Sequence, residues 1–171
     1  MNLYDVAKSH NDEYFTPTYA VKPIIKYLKK GSRIWCPFDK DDSMYVKVLR
    51  KEGFDVINTH IDNGEDFFEV EVPECDYIVS NPPFSKKHDV LERLFKIGIP
   101  FAMLVGDLGL FSSKRKFEMF KNNKFELMYF DKRISYFSKN IVDKVNPPFL
   151  SIYVCHNLLP KQMIFEVLNR E

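Results

Sequence analysis

At 171 residues, with 45% hydrophobic and 15% aromatic content, the chain suits a single domain with a full core and excludes a disordered or low-complexity protein. The net charge is +1, yet residues 39–77 hold twelve acids against four bases and residues 114–144 hold nine bases against four acids, so one end of the molecule is suited to face an anion. Three widely spaced cysteines, four scattered histidines, no apolar run near the ~18 residues of a membrane span and no basic-then-apolar start predict free thiols in a cytoplasmic protein, with no disulfide framework, metal site or membrane partner.

Residues 1–12 are polar without a sustained period and read as an N-terminal arm, leaving residues 13–171 as the domain. Glu13-Tyr14-Phe15-Thr16-Pro17 then precedes Ala20, Ile24, Ile25, Tyr27 and Leu28, whose spacing predicts a helix of about three turns, capped by Thr16 with Pro17 first inside it. Residues 32–38 read as the first strand. Its exit, Asp39-Lys40-Asp41-Asp42-Ser43, contains no glycine. Met44, Val48 and Leu49 mark a helix over 43–52 that Gly53 breaks, and residues 54–60 form a second strand. That βαβ spacing predicts a parallel pair with a right-handed crossover.

The run Tyr77-Ile78-Val79 has the composition of a buried strand and stops at Ser80-Asn81-Pro82-Pro83-Phe84, because the prolines cannot continue paired backbone. Asn81 therefore sits at a strand's carboxyl end, the edge of an open α/β sheet where ligands bind. The tetrapeptide recurs as Asn146-Pro147-Pro148-Phe149. That copy precedes an apolar run instead of following one, so it reads as a turn entering a strand.

Val90, Leu91, Leu94 and Phe95 predict a helix over 86–97, and residues 100–105 a further buried strand ending in the loop Gly106-Asp107-Leu108-Gly109. The basic stretch 114–124 carries Phe117, Met119 and Phe120 and reads as a core-packing helix with a solvated cationic face, in preference to an aromatic stacking platform. Residues 125–130 and 150–155 complete the strands. Between them, Lys132, Arg133, Tyr136 and Phe137 suit contact with a phosphate and a base.

The stretch 77–84 resembles the catalytic motif of class I S-adenosylmethionine-dependent methyltransferases that modify planar exocyclic or amide nitrogens, above all the N6-adenine DNA methyltransferases, and most of all their small phage-encoded members. The resemblance implies that the Asn81 side-chain oxygen and the Pro82 carbonyl accept from the target amine while Phe84 stacks on the base. It implies that Tyr14, Phe15, Thr16 and Pro17 line the methionine end of S-adenosylmethionine, that Asp39 holds its ammonium group and that an acid at the second strand's end meets its ribose, where His60 is the best-placed residue and Asp62 the nearest acid. Asn63-Gly64-Glu65-Asp66-Phe67-Phe68 resembles the family's Gly-x-Asp-Phe-Phe, which gives Asp66 the cofactor's adenine amine and Phe67 its ring. The chain departs from the family in the glycine-free loop 39–43.

The fold so implied is α/β: one Rossmann-like domain with a mostly parallel sheet of order 3-2-1-4-5-7-6, an antiparallel last strand, helices on both faces and no separate target-recognition domain. The activity so implied is transfer of a methyl group to N6 of adenine in DNA, the base flipped onto Phe84 and Tyr136 or Phe137. Two alternatives stay open: methylation of an RNA base or a protein glutamine amide, and a cofactor-dead methyltransferase-fold protein that binds or inhibits nucleic acid or a host or phage protein. The glycine-free loop favours the last.

Overall fold

Every apolar run that reads as a strand joins one sheet. The computed structural model describes residues 14–138 and 141–170, so the arm read over residues 1–12 lies outside the described residues. After a two-residue strand β1 (Tyr14–Phe15) come α1 (Thr18–Ile25), β2 (Arg33–Cys36), α2 (Met44–Lys51), β3 (Asp55–Asn58) and β4 (Tyr77–Ser80). Then follow α3 (Lys87–Ile97), β5 (Phe101–Gly106), α4 (Lys114–Lys121) and β6 (Glu126–Phe130). The last elements are β7 (Tyr136–Ser138), β8 (Ile141–Val145), β9 (Ser151–His156) and β10 (Met163–Glu166).

Seven strands form the main sheet in the order β10-β6-β9-β5-β4-β2-β3. The strand β9 runs antiparallel to β5 and β6, and every other pair is parallel. Successive strand residues point to opposite faces, which divides the core in two. Ile34, Cys36, Val79, Ala102, Leu104 and Tyr153 pack against α1 and α2 through Ala20, Val21, Ile24, Tyr45, Val46 and Leu49. Trp35, Ile78, Phe101, Met103, Ile152 and Val154 pack on the other side against Val90, Leu91, Leu94 and Phe95 of α3 and Phe120 of α4. The architecture is thus a single α/β domain with a mostly parallel sheet and helices on both faces.

Three local differences from the sequence reading matter. The run β3-β2-β4-β5-β9-β6 follows the expected order, but residues 65–76 form turns where the outermost strand beyond β3 was expected, and the seventh strand is β10, parallel to β6 at the opposite edge. Pro23 lies inside α1 and supplies no N–H, so the helix is eight residues long and its last turn closes with the i→i+3 bonds Tyr27 N to Ile24 O and Leu28 N to Ile25 O. Thr16 does not cap it. The N-cap is Pro17, without a side-chain bond, and the Thr16 hydroxyl is turned toward Asn81.

A second, three-stranded antiparallel sheet, β1-β7-β8, stands beside the first, with Phe15 opposite Phe137. It pins the Phe15-Thr16 segment over the main sheet's carboxyl edge. No helix among the described residues is long and apolar enough to cross a membrane.

Candidate active site

At the carboxyl ends of β2 and β4 lies a cavity of about 360 Å³. The motif after β4 forms one wall with Asn81, Pro82 and Phe84, while Phe15 and Thr16 close it from the N-terminal segment. The glycine-free loop contributes Phe38, Asp39, Lys40 and Ser43, and the turns after β3 contribute His60, Glu65, Asp66 and Phe67. Four separate stretches of sequence thus meet at one place.

Asn81 is held in a defined orientation. Pro82 and Pro83 end the ladder, Pro83 is extended with φ −53° and ψ 130°, and the chain turns at once into a single 3-10 turn at Phe84–Lys86. The Asn81 Nδ2 donates to Thr16 Oγ1 at 3.1 Å. Its Oδ1 is then buried with no hydrogen-bond partner. A buried acceptor without a donor costs on the order of 1–3 kcal/mol, and here it lies on a cavity wall.

Phe84 is braced from two sides. Its ring meets Tyr136 edge-on at 5.8 Å and Phe149 at 5.3 Å. Phe149 belongs to the second Asn-Pro-Pro-Phe copy, whose Asn146 Oδ1 accepts from Ser135 Oγ at 2.6 Å. The Phe149 ring rests on Gly106, where an added Cβ would come within 2.7 Å of it, so the end of β5 has to be glycine for the ring to reach Phe84. The second copy is a turn entering β9, as its context indicates, and its phenylalanine also packs against the first copy's.

Asp39 is 7% exposed and accepts hydrogen bonds from the hydroxyls of Ser43 and Ser80. Burial pushes its carboxyl up to about 6, against the pull of the two hydroxyls. Ser43 has a second task, capping α2 by accepting from Tyr45 N at 3.3 Å. Asp66 Oδ1 accepts from Phe68 N at 2.9 Å, and Phe67 is 3% exposed within an aromatic cluster with Trp35, Phe38 and Phe68.

Other predicted site residues lie elsewhere. Asp62 forms an ion pair with Lys40 and is not on the cavity wall; His60, just past the end of β3, takes that place and accepts from Asp62 N through Nδ1. Pro17 caps α1 outside the lining. Tyr14 is described by its backbone alone, so the role expected of its side chain lies outside the described residues. Tyr136 is fully buried, donating its hydroxyl to Ser151 Oγ, and offers no face for a base to stack on; it supports Phe84 instead. Lys132 donates to Leu168 O and Arg133 to Pro147 O, so both tie loops together, while Phe137 is 40% exposed outside the cavity.

Sequence reasoning passed over Phe38, Lys86 and Phe149, and it set aside the better-placed His60 in favour of the nearest acid, Asp62. Phe38 follows a strand's end, which was a usable signal; the reach of Phe149 to Phe84 depends on tertiary packing and left none.

No family model matches the chain, and no curated protein is similar to it in sequence. Among solved structures, PH1948 of Pyrococcus horikoshii, provisionally assigned as an RNA methyltransferase, superposes over 93% of this chain and 99% of its own with a TM-score of 0.51 at 13% identity. This chain shares the Rossmann-like fold of that structure. TrmN from Thermus thermophilus (TM-score 0.46, 11% identity, 91% of this chain) also matches. So does the modification subunit of a provisionally assigned type I restriction enzyme from Vibrio vulnificus YJ016 (0.46, 10%, 98%). The chain spans about half the length of these two, 52% and 49%. Within this fold, the cavity lies at the sheet's carboxyl edge, where open α/β sheets bind ligands.

Proposed function

We propose that the protein transfers a methyl group from S-adenosylmethionine to an exocyclic amine of a nucleic-acid base, with N6 of adenine in DNA as the acceptor. The observation that carries this reading is the buried, unpartnered Oδ1 of Asn81 on the cavity wall that Pro82 and Phe84 also line.

The residues present fit the cofactor. A cavity of about 360 Å³ falls within the range of roughly 300–1,000 Å³ typical of small-molecule sites, and it combines aromatic walls with the buried Asp39 and the half-buried Asp66. Asp39 would meet the methionine ammonium, Asp66 the adenine amine and Phe67 the edge of the adenine ring, with His60 in place of the expected Asp62 on the ribose side. When bound, the cofactor supplies an electrophilic methyl on a sulfonium. All other work falls to the chain.

An adenine amine is a weak nucleophile because its lone pair is delocalised into the ring. Acceptance of its N–H groups by Asn81 Oδ1 and the Pro82 carbonyl directs the lone pair toward the methyl and strengthens as positive charge develops on nitrogen. The new N–C bond forms as the S–C bond breaks, and the acidified amine then releases its proton to solvent, so no basic side chain is required. Phe84, braced by Tyr136 and Phe149, would carry the base plane.

Titration calorimetry with S-adenosylmethionine, followed by transfer of labelled methyl to adenine-containing DNA and RNA, tests the proposal. Saturable heat and label in adenine are expected. The engagement of Asp39 by Ser43 and Ser80, together with the glycine-free loop, favours a cofactor-dead binding protein as the second reading. No heat at millimolar ligand from protein that is folded by circular dichroism would decide for that reading.

A further inference from the structure

The basic helix α4 does not pack as its sequence suggests. Only Phe120 is buried, and Phe117 on the same helix is 56% exposed. In the loop that links β5 to α4, Leu108 is 52% and Phe111 47% exposed. Three large apolar side chains left in solvent within ten residues ask for an occupant.

Cations surround them. Lys87 Nζ clasps the loop by donating to Gly106 O at 2.7 Å and Leu108 O at 2.8 Å, and Lys116 Nζ reaches Gly109 O at 3.3 Å from the other side. These lysines are close enough for the charge of Lys116 to help burial push Lys87 down to about 8 and His88 down to about 4. Lys114 begins the same helix and is exposed. Arg115 differs, because Asp89 and Glu92 neutralise it. The outward positive charge of this surface therefore belongs to lysines that are bonded to neutral carbonyls or open to solvent, which suits a polyanion.

Position supplies the last link. Lys86 lines the cavity, and the next residue, Lys87, holds the loop, so the surface adjoins the cavity mouth at Phe84–Lys86. By contrast Lys132 and Arg133 spend their hydrogen bonds on Leu168 O and Pro147 O.

We propose that the loop after β5 and the first turns of α4 bind a single strand of nucleic acid flanking the cavity, with Lys114 and Lys116 on phosphates and Phe111 and Phe117 under unpaired bases. The proposal rests on the methyl-transfer reading for the strand's direction into the site, but not for the binding itself. A single strand is favoured over a duplex because stacking on a phenylalanine needs an exposed base face.

The test is fluorescence anisotropy of labelled single-stranded DNA, single-stranded RNA and duplex DNA with the full chain, over a range of salt concentrations. Lys114→Ala with Lys116→Ala should lower the salt slope for single strands by about 1.4, or ~0.7 for each phosphate that is no longer neutralised. Phe117→Ser should weaken binding by about fivefold or more with the slope unchanged, since base stacking carries no counterions. Lys132→Ala with Arg133→Ala should leave the slope as it was. Melting curves establish that each variant is folded. Parent-like binding by the first two variants, tighter binding of duplex than of single strands, or self-association through this surface with no oligonucleotide bound would each overturn the proposal. Cofactor calorimetry separates it from the reading it rests on: oligonucleotide binding weakened as stated in these variants without any cofactor heat would sustain the surface and sink methyl transfer, and cofactor heat without oligonucleotide binding would sink the surface and leave cofactor binding standing.

Discussion

Asn81→Ala is expected to lower methyl transfer by ~10²-fold or more, the cost typical of removing one preorganised polar group that faces developing charge. The melting temperature should change little. The substitution gives up the 3.1 Å bond to Thr16 but also removes a buried acceptor that has no partner, and these two effects oppose each other. Asn146→Ala in the second copy of the motif should behave in the opposite way. It loses the 2.6 Å bond from Ser135 and about 1 kcal/mol of stability, while its chemistry stays near that of the parent. Labelled methyl transfer to adenine-containing DNA, with a melting curve for each variant, reads both effects. Full activity in Asn81→Ala, or equal loss of turnover in both variants at equal melting temperature, would remove the assignment of the motif.

Asp39→Asn should make the protein more stable at neutral pH and weaken its hold on S-adenosylmethionine. Burial raises the carboxyl from 3.8 to about 6 in the folded state, so the folded chain retains a proton that the unfolded chain has already released between those values. The sign follows: stability from this group is greatest below pH 3.8, falls as pH rises toward about 6 and is constant above it. A shift of that size corresponds to about 3 kcal/mol at neutral pH, which asparagine regains because it has no charge to bury. Ser43 and Ser80 can still bond an amide, one as donor and the other as acceptor. Urea unfolding at pH 4 to 8 should show a declining limb in the parent that is flattened in the variant, and calorimetry should show weaker cofactor binding in the variant. An unchanged pH profile would mean that Asp39 is ionised in the folded protein without penalty.

The parts of the fold that were legible in the sequence are those where local chemistry and tertiary position agree. Ile78 and Val79 could only be a buried strand, and two prolines could only end it, so Asn81 fell on the ligand edge without further information. The elements that escaped notice are those that depend on partners. The strand β10 reads Met163-Ile164-Phe165-Glu166, too short to stand out, and becomes a strand because Glu166 is drawn to Lys26 and Tyr27 while its backbone pairs with β6. Tyr136 has the composition of a base contact, yet the β7-β8 hairpin turns it inward, where Ser151 takes its hydroxyl. Asp62 occupied a plausible place in sequence, but Lys40 drew it from the cavity and left His60 there.

The missing outer strand beyond β3 has a kinetic consequence. The wall that carries Asp66 and Phe67 is not stitched to the sheet by a ladder. Besides the burial of Phe67 among Trp35, Phe38 and Phe68, its polar tie is Arg93 of α3, which donates to Phe68 O at 2.8 Å and Val70 O at 3.0 Å and lays its guanidinium against the Phe67 ring at 5.3 Å. A segment held by the packing of Phe67 and by one side chain's hydrogen bonds, with no ladder, opens at a lower free energy than strands joined along their length. Amide hydrogens at residues 65–72 should therefore exchange well ahead of those in β4 and β5, and Arg93→Met should hasten that exchange without speeding exchange in β4. The cavity thus has a side panel whose polar latch is Arg93, and the rate at which a ligand enters or leaves can be altered there, from behind the Phe67 ring and not from the cavity itself.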